Sequence, residues 1–130
     1  MLSRRDLGRA AAASMGAMAV MSSGEASAAE PVVSFNVLYP NHDGARFDMA
    51  YYRATHIPMC ERIMKPASTL LIEGVAMGGN PAPFAMIVHF EFVSAEAMRA
   101  ALGNPAMSEL RDDLVKFSDI KPVILFGKSA

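Results

Sequence analysis

Phe84-Ala85-Met86-Ile87-Val88-His89-Phe90-Glu91-Phe92-Val93 is the stretch that decides the fold. Phe84, Met86, Val88, Phe90 and Phe92 alternate with Ala85, Ile87, His89 and Glu91, which is the period of a strand with two different faces. The first face is wholly apolar. The second mixes Ile87 with His89 and Glu91, so one side belongs in a core and the other meets something more polar.

Working outward, Gly78-Gly79-Asn80-Pro81 is a strong loop before this strand, and Ser68 to Met77 reads as another strand before the loop. Phe47 to Lys65 reads as helix, with Phe47, Ala50, Tyr51 and Ala54 as its apolar stripe and Asp48 at its positive end. Pro58 removes a backbone donor, so this helix either kinks around His56-Ile57 or restarts with Pro58 in a first turn. Pro31 to Tyr39 alternates, with Val33, Phe35, Val37 and Tyr39 on one face and Val32, Ser34, Asn36 and Leu38 on the other. On the other side of the central strand, Ser94 is placed to cap a helix carrying Met98, Ala101 and Leu102. Gly103-Asn104-Pro105 breaks it, Ala106 to Lys116 resumes as helix, and Ile120 to Phe126 is a last strand whose Pro122 suits an edge.

The order β-α-β-β-α-β predicts an α+β fold of the ferredoxin-like βαββαβ type, a four-stranded antiparallel sheet with helices on one face. The strands carry Val, Ile or Leu on both faces. A bare apolar sheet face is an association surface, so a homodimer, an α+β barrel made of two sheets face to face, is expected.

Residues 1–28 read as a signal. Arg4-Arg5 lies in a basic start, Ala10 to Met21 is weakly apolar, and Ala26-Ser27-Ala28 offers the small residues of a cleavage site. Ser3-Arg4-Arg5-Asp6-Leu7 is similar to the twin-arginine export signal, which implies a periplasmic protein. The apolar run falls short of the about 20 residues of a membrane span, so no lasting membrane insertion is expected. The remaining domain is residues 29–130. Removing Arg4, Arg5 and Arg9 with Asp6 and Glu25 from 12 basic and 13 acidic residues leaves 9 and 11, a net charge of −2. That balance offers no basic stripe for nucleic acid. Cys60 is the only cysteine, so packing alone must hold the domain.

Asp48, Tyr52 and His56 recur every four residues and so share a helix face: an acid, a phenol and an imidazole in a row. His56 is a candidate acid or base near neutral pH, with Tyr52 orienting a substrate oxygen. The plainer alternative is that Asp48 serves the helix end, Tyr52 packs at a rim and His56 satisfies backbone freed by Pro58. His89 shares a strand face with Glu91 and is either a pocket residue or a hydrogen-bonded structural one. Cys60, one turn after His56, is either a nucleophile or a small buried apolar residue. His42, His56 and His89 lack the spacing of metal ligands. No glycine-rich dinucleotide fingerprint, phosphate loop or serine elbow is present, so no cofactor is expected.

Leu38-Tyr39-Pro40, Phe47-Asp48-x-x-Tyr51-Tyr52-x-x-x-His56-x-Pro58, the strand around His89 and Asp119-Ile120-x-Pro122-Val123 together resemble the EthD family, over roughly residues 32 to 127. The resemblance implies a dimeric α+β barrel. It also implies a degradation-pathway protein of the kind often labelled a reductase, with relatives among isomerases and monooxygenases that use neither metal nor flavin. The export signal departs from the cytoplasmic habit of that family. The expected function is a small cofactor-independent oxidoreductase or isomerase acting on a small, partly apolar organic molecule, oxidoreduction being favoured over isomerisation. His56, Tyr52 and His89 are its expected catalytic residues, and Tyr39, Asp48, Tyr51 and Asn36 its expected substrate contacts. The alternative is an accessory protein that binds the same molecule without turnover.

Overall fold

The computed structural model describes residues 31–130; the signal expected over residues 1–28 lies outside them. The elements run β1 (Val33–Pro40), α1 (Met49–Tyr51), a π-helical turn (Tyr52–His56), α2 (Ile57–Met64), β2 (Ser68–Glu73), β3 (Phe84–Phe92), α3 (Ala95–Leu102), α4 (Met107–Phe117) and β4 (Val123–Lys128). The sheet order is β2-β3-β1-β4, every pair antiparallel. This is the expected α+β, ferredoxin-like arrangement. β3 and β1 are central, and β4 is an edge, as Pro122 suggested. No helix among the described residues is long and apolar enough to cross a membrane.

Strand parity assigns the two faces. Phe35, Tyr39, Met86, Val88, Phe90 and Phe92 are buried under the helices. They join Ile57, Cys60, Ile63, Met64, Leu110 and Phe117 in the core. The opposite face has a polar centre, Ser34 and Asn36 opposite Glu91 and His89, flanked by exposed Leu70, Ile72, Val123 and Leu125. The Val, Ile or Leu expected on this face are present, at its flanks and in the central Leu38–Ile87 pair, beside the polar centre.

Two boundaries differ from the sequence expectation. β2 stops at Glu73 rather than Met77, because the chain turns away at Gly74. A Cβ there would lie 1.7 Å from the Phe84 carbonyl oxygen, so only glycine permits that approach. The first helix begins at Met49, because Phe47 is held in a bridge to Ser118 and Asp48 is the N-cap.

The expected apolar stripe of that helix is also corrected. Ala50 and Ala54 are exposed, and the buried side carries Tyr52, His56, Ile57, Cys60, Ile63 and Met64. Alanine tolerates water, whereas the large rings bury far more area, so the rings choose the inward face. Pro58 lies in the first turn of α2. The helix does not break there; it widens. The Ile57 N–H donates to the Tyr52 carbonyl, a bond spanning five residues. Widening relieves the clash that a proline ring makes with the carbonyl four residues back.

Candidate functional site

The π turn sets the site. Five residues at ~3.6 per turn leave positions 51 and 56 ~140° apart on a regular helix. The wider turn carries them onto one side. There both grip a single carboxylate on α4: Tyr51 Oη donates to Asp113 Oδ1 at 2.7 Å, and His56 Nδ1 pairs with Asp113 Oδ2 at 2.9 Å. Asp113 is buried, as is His56.

Backbone contacts fix α4 against the start of the first helix. The Asp48 N–H donates to the Phe117 carbonyl at 2.7 Å, and Ser118 Oγ donates to the Arg46 carbonyl at 2.8 Å. Aromatic rings fill the space between. Tyr52 stacks on His56 with centroids 5.4 Å apart, and Phe117 lies 4.5 Å from the His56 ring and 5.0 Å from Tyr52. The imidazole is therefore clamped by a carboxylate at one nitrogen and by rings on its faces. Its Nε2 makes no hydrogen bond among the described residues.

These groups open on a cavity of about 360 Å³ between the helices and the sheet. Tyr39, Tyr52 and His56 line it together with apolar side chains such as Val88, Phe90 and Leu114. The Tyr52 hydroxyl is sealed from solvent and makes no hydrogen bond of standard geometry, but it has the Tyr39 phenol beside it as a polar neighbour.

The protonation states follow from burial and pairing. Burial lowers the His56 pKa, and the bond to Asp113 offsets only part of this, so the ring is neutral at neutral pH. Burial pushes the Asp113 carboxyl up, but the bonds from His56 and Tyr51 outweigh it, so the group stays ionised. Burial, then the neighbouring Tyr39 phenol, raise Tyr52 far above the ordinary phenol range. Tyr52 is a donor, not a phenolate. Cys60 also lines the cavity; burial first, then Asp113 and Glu61, push its thiol up to about 12. It is a protonated thiol, which removes the nucleophile alternative.

The structure therefore brings Tyr39, Tyr51, Tyr52 and His56 together and sets the other expected site residues apart. Asp48 caps α1, its Oδ1 accepting from the Tyr51 N–H at 3.0 Å. Asn36 and His89 lie on the opposite sheet face. There the His89 ring contacts Asn36 Oδ1 at 2.6 Å through Nδ1 and Glu91 Oε2 at 3.0 Å through Nε2. Asn36 Nδ2 donates to the Leu125 carbonyl at 3.0 Å, which fixes the amide with its oxygen toward His89. The single cavity expected to gather Tyr52, His56 and His89 is corrected to two separate settings. Asp113 was missed. Its signal was present: it lies three residues after Leu110 and four before Phe117, a carboxylate on the buried stripe of a helix. No group of three potential metal ligands is gathered among the described residues.

Comparison with known proteins follows the same lines. A family model described as EthD domain matches residues 44–121. A crystal structure of an EthD-like protein from Ralstonia eutropha JMP134 has 31% sequence identity and a TM-score of 0.69, covering 75% of this chain and 91% of that one. An ethyl tert-butyl ether D (EthD) family protein from Bacillus halodurans C-125 shares the fold at 16% identity and a TM-score of 0.61, covering 76% of this chain and 99% of that one. So does a protein from Arabidopsis thaliana, at 16% identity and a TM-score of 0.56, covering 75% and 95%. No curated protein matches the chain.

Proposed function

The chain belongs to the EthD family, and from that premise we propose that it is a small cofactor-independent enzyme that moves a proton on a partly apolar organic molecule, with His56 as the acid/base. One observation carries this: a neutral His56, held at Nδ1 by Asp113, leaves Nε2 without a partner beside a cavity that Tyr52 and Tyr39 also line. A carbonyl compound fits those two groups. His56 Nε2 takes a proton from the carbon beside the carbonyl, the electron pair moves to oxygen, and the Tyr52 hydroxyl donates to the enolate that forms. Returning the proton elsewhere on the enolate completes an isomerisation. The same step serves an internal oxidation–reduction, in which a carbonyl and an adjacent carbinol carbon of one molecule exchange oxidation level through the enediol by proton transfers alone.

Asp113 does not touch the substrate. It is a positioning residue that fixes the tautomer and stabilises the imidazolium as it forms. Tyr51 in turn fixes Asp113.

Assembly belongs to the same proposal. On the face away from the helices, β4 exposes Val123 and Leu125, and β2 exposes Leu70 and Ile72. Neighbouring apolar groups of that extent on the sheet support burial against a second copy. Export by a twin-arginine signal over residues 1–28 also remains part of the proposal. The mass of the protein recovered from a periplasmic fraction tests it, a cleaved chain starting near Ala29 being the expected result.

The test of the chemistry is hydrogen exchange. Small ketones and β-dicarbonyl compounds are incubated with the protein in D2O, and deuterium entry beside the carbonyl is followed by NMR. Wild type accelerates exchange, and His56→Gln with an unchanged circular dichroism spectrum abolishes the acceleration. Ligand-induced shifts without exchange in either protein would leave a binding protein in place of an enzyme.

A further inference from the structure

The charged side chains of the cavity identify the class of molecule it takes. Its lining contains no Asp or Glu, and its only full charges are two cations, Arg111 and Lys121. This is unexpected for a chain whose formal net charge is −1. The two come from different elements, Arg111 from α4 and Lys121 from the segment leading into β4. Both are exposed, so they stand on the solvent side of the cavity, whereas Tyr52 and His56 are buried.

Three other cations have acceptors: Arg53 pairs with Glu73 at 3.0 Å, Arg46 donates to the Val115 carbonyl at 2.9 Å, and Lys116 lies 3.7 Å from Asp113. What sets Arg111 and Lys121 apart from the remaining cations is their place in the cavity lining. Among the described residues no ion pair neutralises Arg111 or Lys121 at the mouth. Two such cations beside apolar walls focus their field into the opening.

From this arrangement we infer that the ligand is a small carboxylate. It has an apolar, ring-sized body, a carbonyl or hydroxyl at the buried end, and a carboxylate at the Arg111–Lys121 mouth. This rests on the cavity being the working site. The carboxylate has two possible donors at the mouth, and the guanidinium can hold it in bidentate fashion. The buried end stays uncharged, because a neutral His56 and a phenol donor suit an oxygen acceptor and not a second anion. The cavity volume lies near the low end of the range for small-molecule sites, which limits the body to about one ring.

The probes are 4-acetylbenzoate and its methyl ester, which differ only in the charge at one end and carry an exchangeable methyl beside the carbonyl at the other. Affinities are measured by titration calorimetry on wild type and on the Arg111→Gln/Lys121→Gln double variant. Both positions are exposed, and a thermal melt checks that the variant folds. Wild type binds the acid about tenfold more tightly than the ester. The margin narrows as salt is raised and vanishes in the double variant. Equal affinity for acid and ester, an acid preference that survives in the double variant, or no binding of either probe overturns the inference. The same samples in D2O separate it from the chemistry. Acid preference together with acetyl exchange that does not depend on His56 would remove the proton-transfer proposal and leave the carboxylate site standing.

Discussion

His56 and His89 occupy opposite faces of one sheet, and their surroundings make them opposite kinds of histidine. His89 has both ring nitrogens engaged, one by Asn36 and one by Glu91, and its side chain is 29% exposed. His56 has one nitrogen engaged and one free, and its side chain is 7% exposed. A saturated ring at the surface has no valence left for a substrate. A half-saturated ring in an apolar cavity has one, and its surroundings keep it neutral. The difference lies in what the neighbouring atoms leave over, since the residue type is the same.

The sharpest way to break that contrast is to exchange each ring for an amide. His56→Gln is expected to lower the exchange rate about 10³-fold, within the usual range for loss of a general base. His89→Gln is expected to leave the rate within about twofold, since it touches no part of the cavity. A comparable loss of exchange in both variants would erase the division between the faces.

Tyr52→Phe comes next in size. Removing an enolate donor is expected to cost about 10² in rate. The same change removes a buried hydroxyl that makes no hydrogen bond of standard geometry, so thermal stability is expected to hold or to rise by about 1 kcal/mol. Lower activity with equal or greater stability is the signature of a group retained for chemistry. A loss of both, seen in parallel melts and exchange assays, would return Tyr52 to the core as packing.

Much of this division was legible in the sequence, and the failures have physical causes. Alternation from Phe84 to Phe92 already put His89 on the side opposite Phe90, and Phe90 is core. Strand parity alone thus argued against grouping His89 with residues that face the helices. The element order fixed the topology because each strand is bounded by turn residues such as Gly78-Gly79 or by a helix cap such as Ser94. Tyr52 and His56 were legible as one helix face, though grouped there with Asp48, which instead caps α1. Asp113 was not, because helical spacing speaks only within one helix, and its bond to His56 joins residues 57 apart in sequence. The π turn was invisible for a related reason. Pro58 signals that the regular ladder must change but does not say how, and only the widened form puts Tyr51 and His56 on one carboxylate.

A smaller effect separates the faces by stability. His89→Gln exchanges two hydrogen bonds of a half-exposed network for at most one, and about 1 kcal/mol of stability is expected to go with them. Urea titration measures it. If the open face is covered by a second copy, the loss grows with protein concentration, because the network is then buried on assembly. A loss that does not depend on concentration places that face in water.

The smallest effect is the pH dependence, and its sign follows from burial. An unfolded histidine takes up its proton near pH 6.5, whereas folded His56, with its pKa lowered chiefly by burial, does so only at lower pH. Between those two values the unfolded chain binds more protons, so stability falls as pH drops through that window. Asp113 is coupled to His56, because the bond from that ring is the first of the contacts that hold its carboxyl down. Its carboxyl is held below the usual range, so its contribution persists above the unfolded value and is lost only as pH falls through its folded pKa. His56→Gln is therefore expected to flatten the stability curve just below pH 6.5 and, by weakening the hold on the Asp113 carboxyl, to move the acid limb upward in pH. The exchange rate is expected to rise with pH through the same window and then level off, because only the neutral ring accepts a proton. A rate profile whose limb lies above pH 6.5 would mean that the working base is a group with a raised pKa, and the clamped, desolvated imidazole would then have no part in the step.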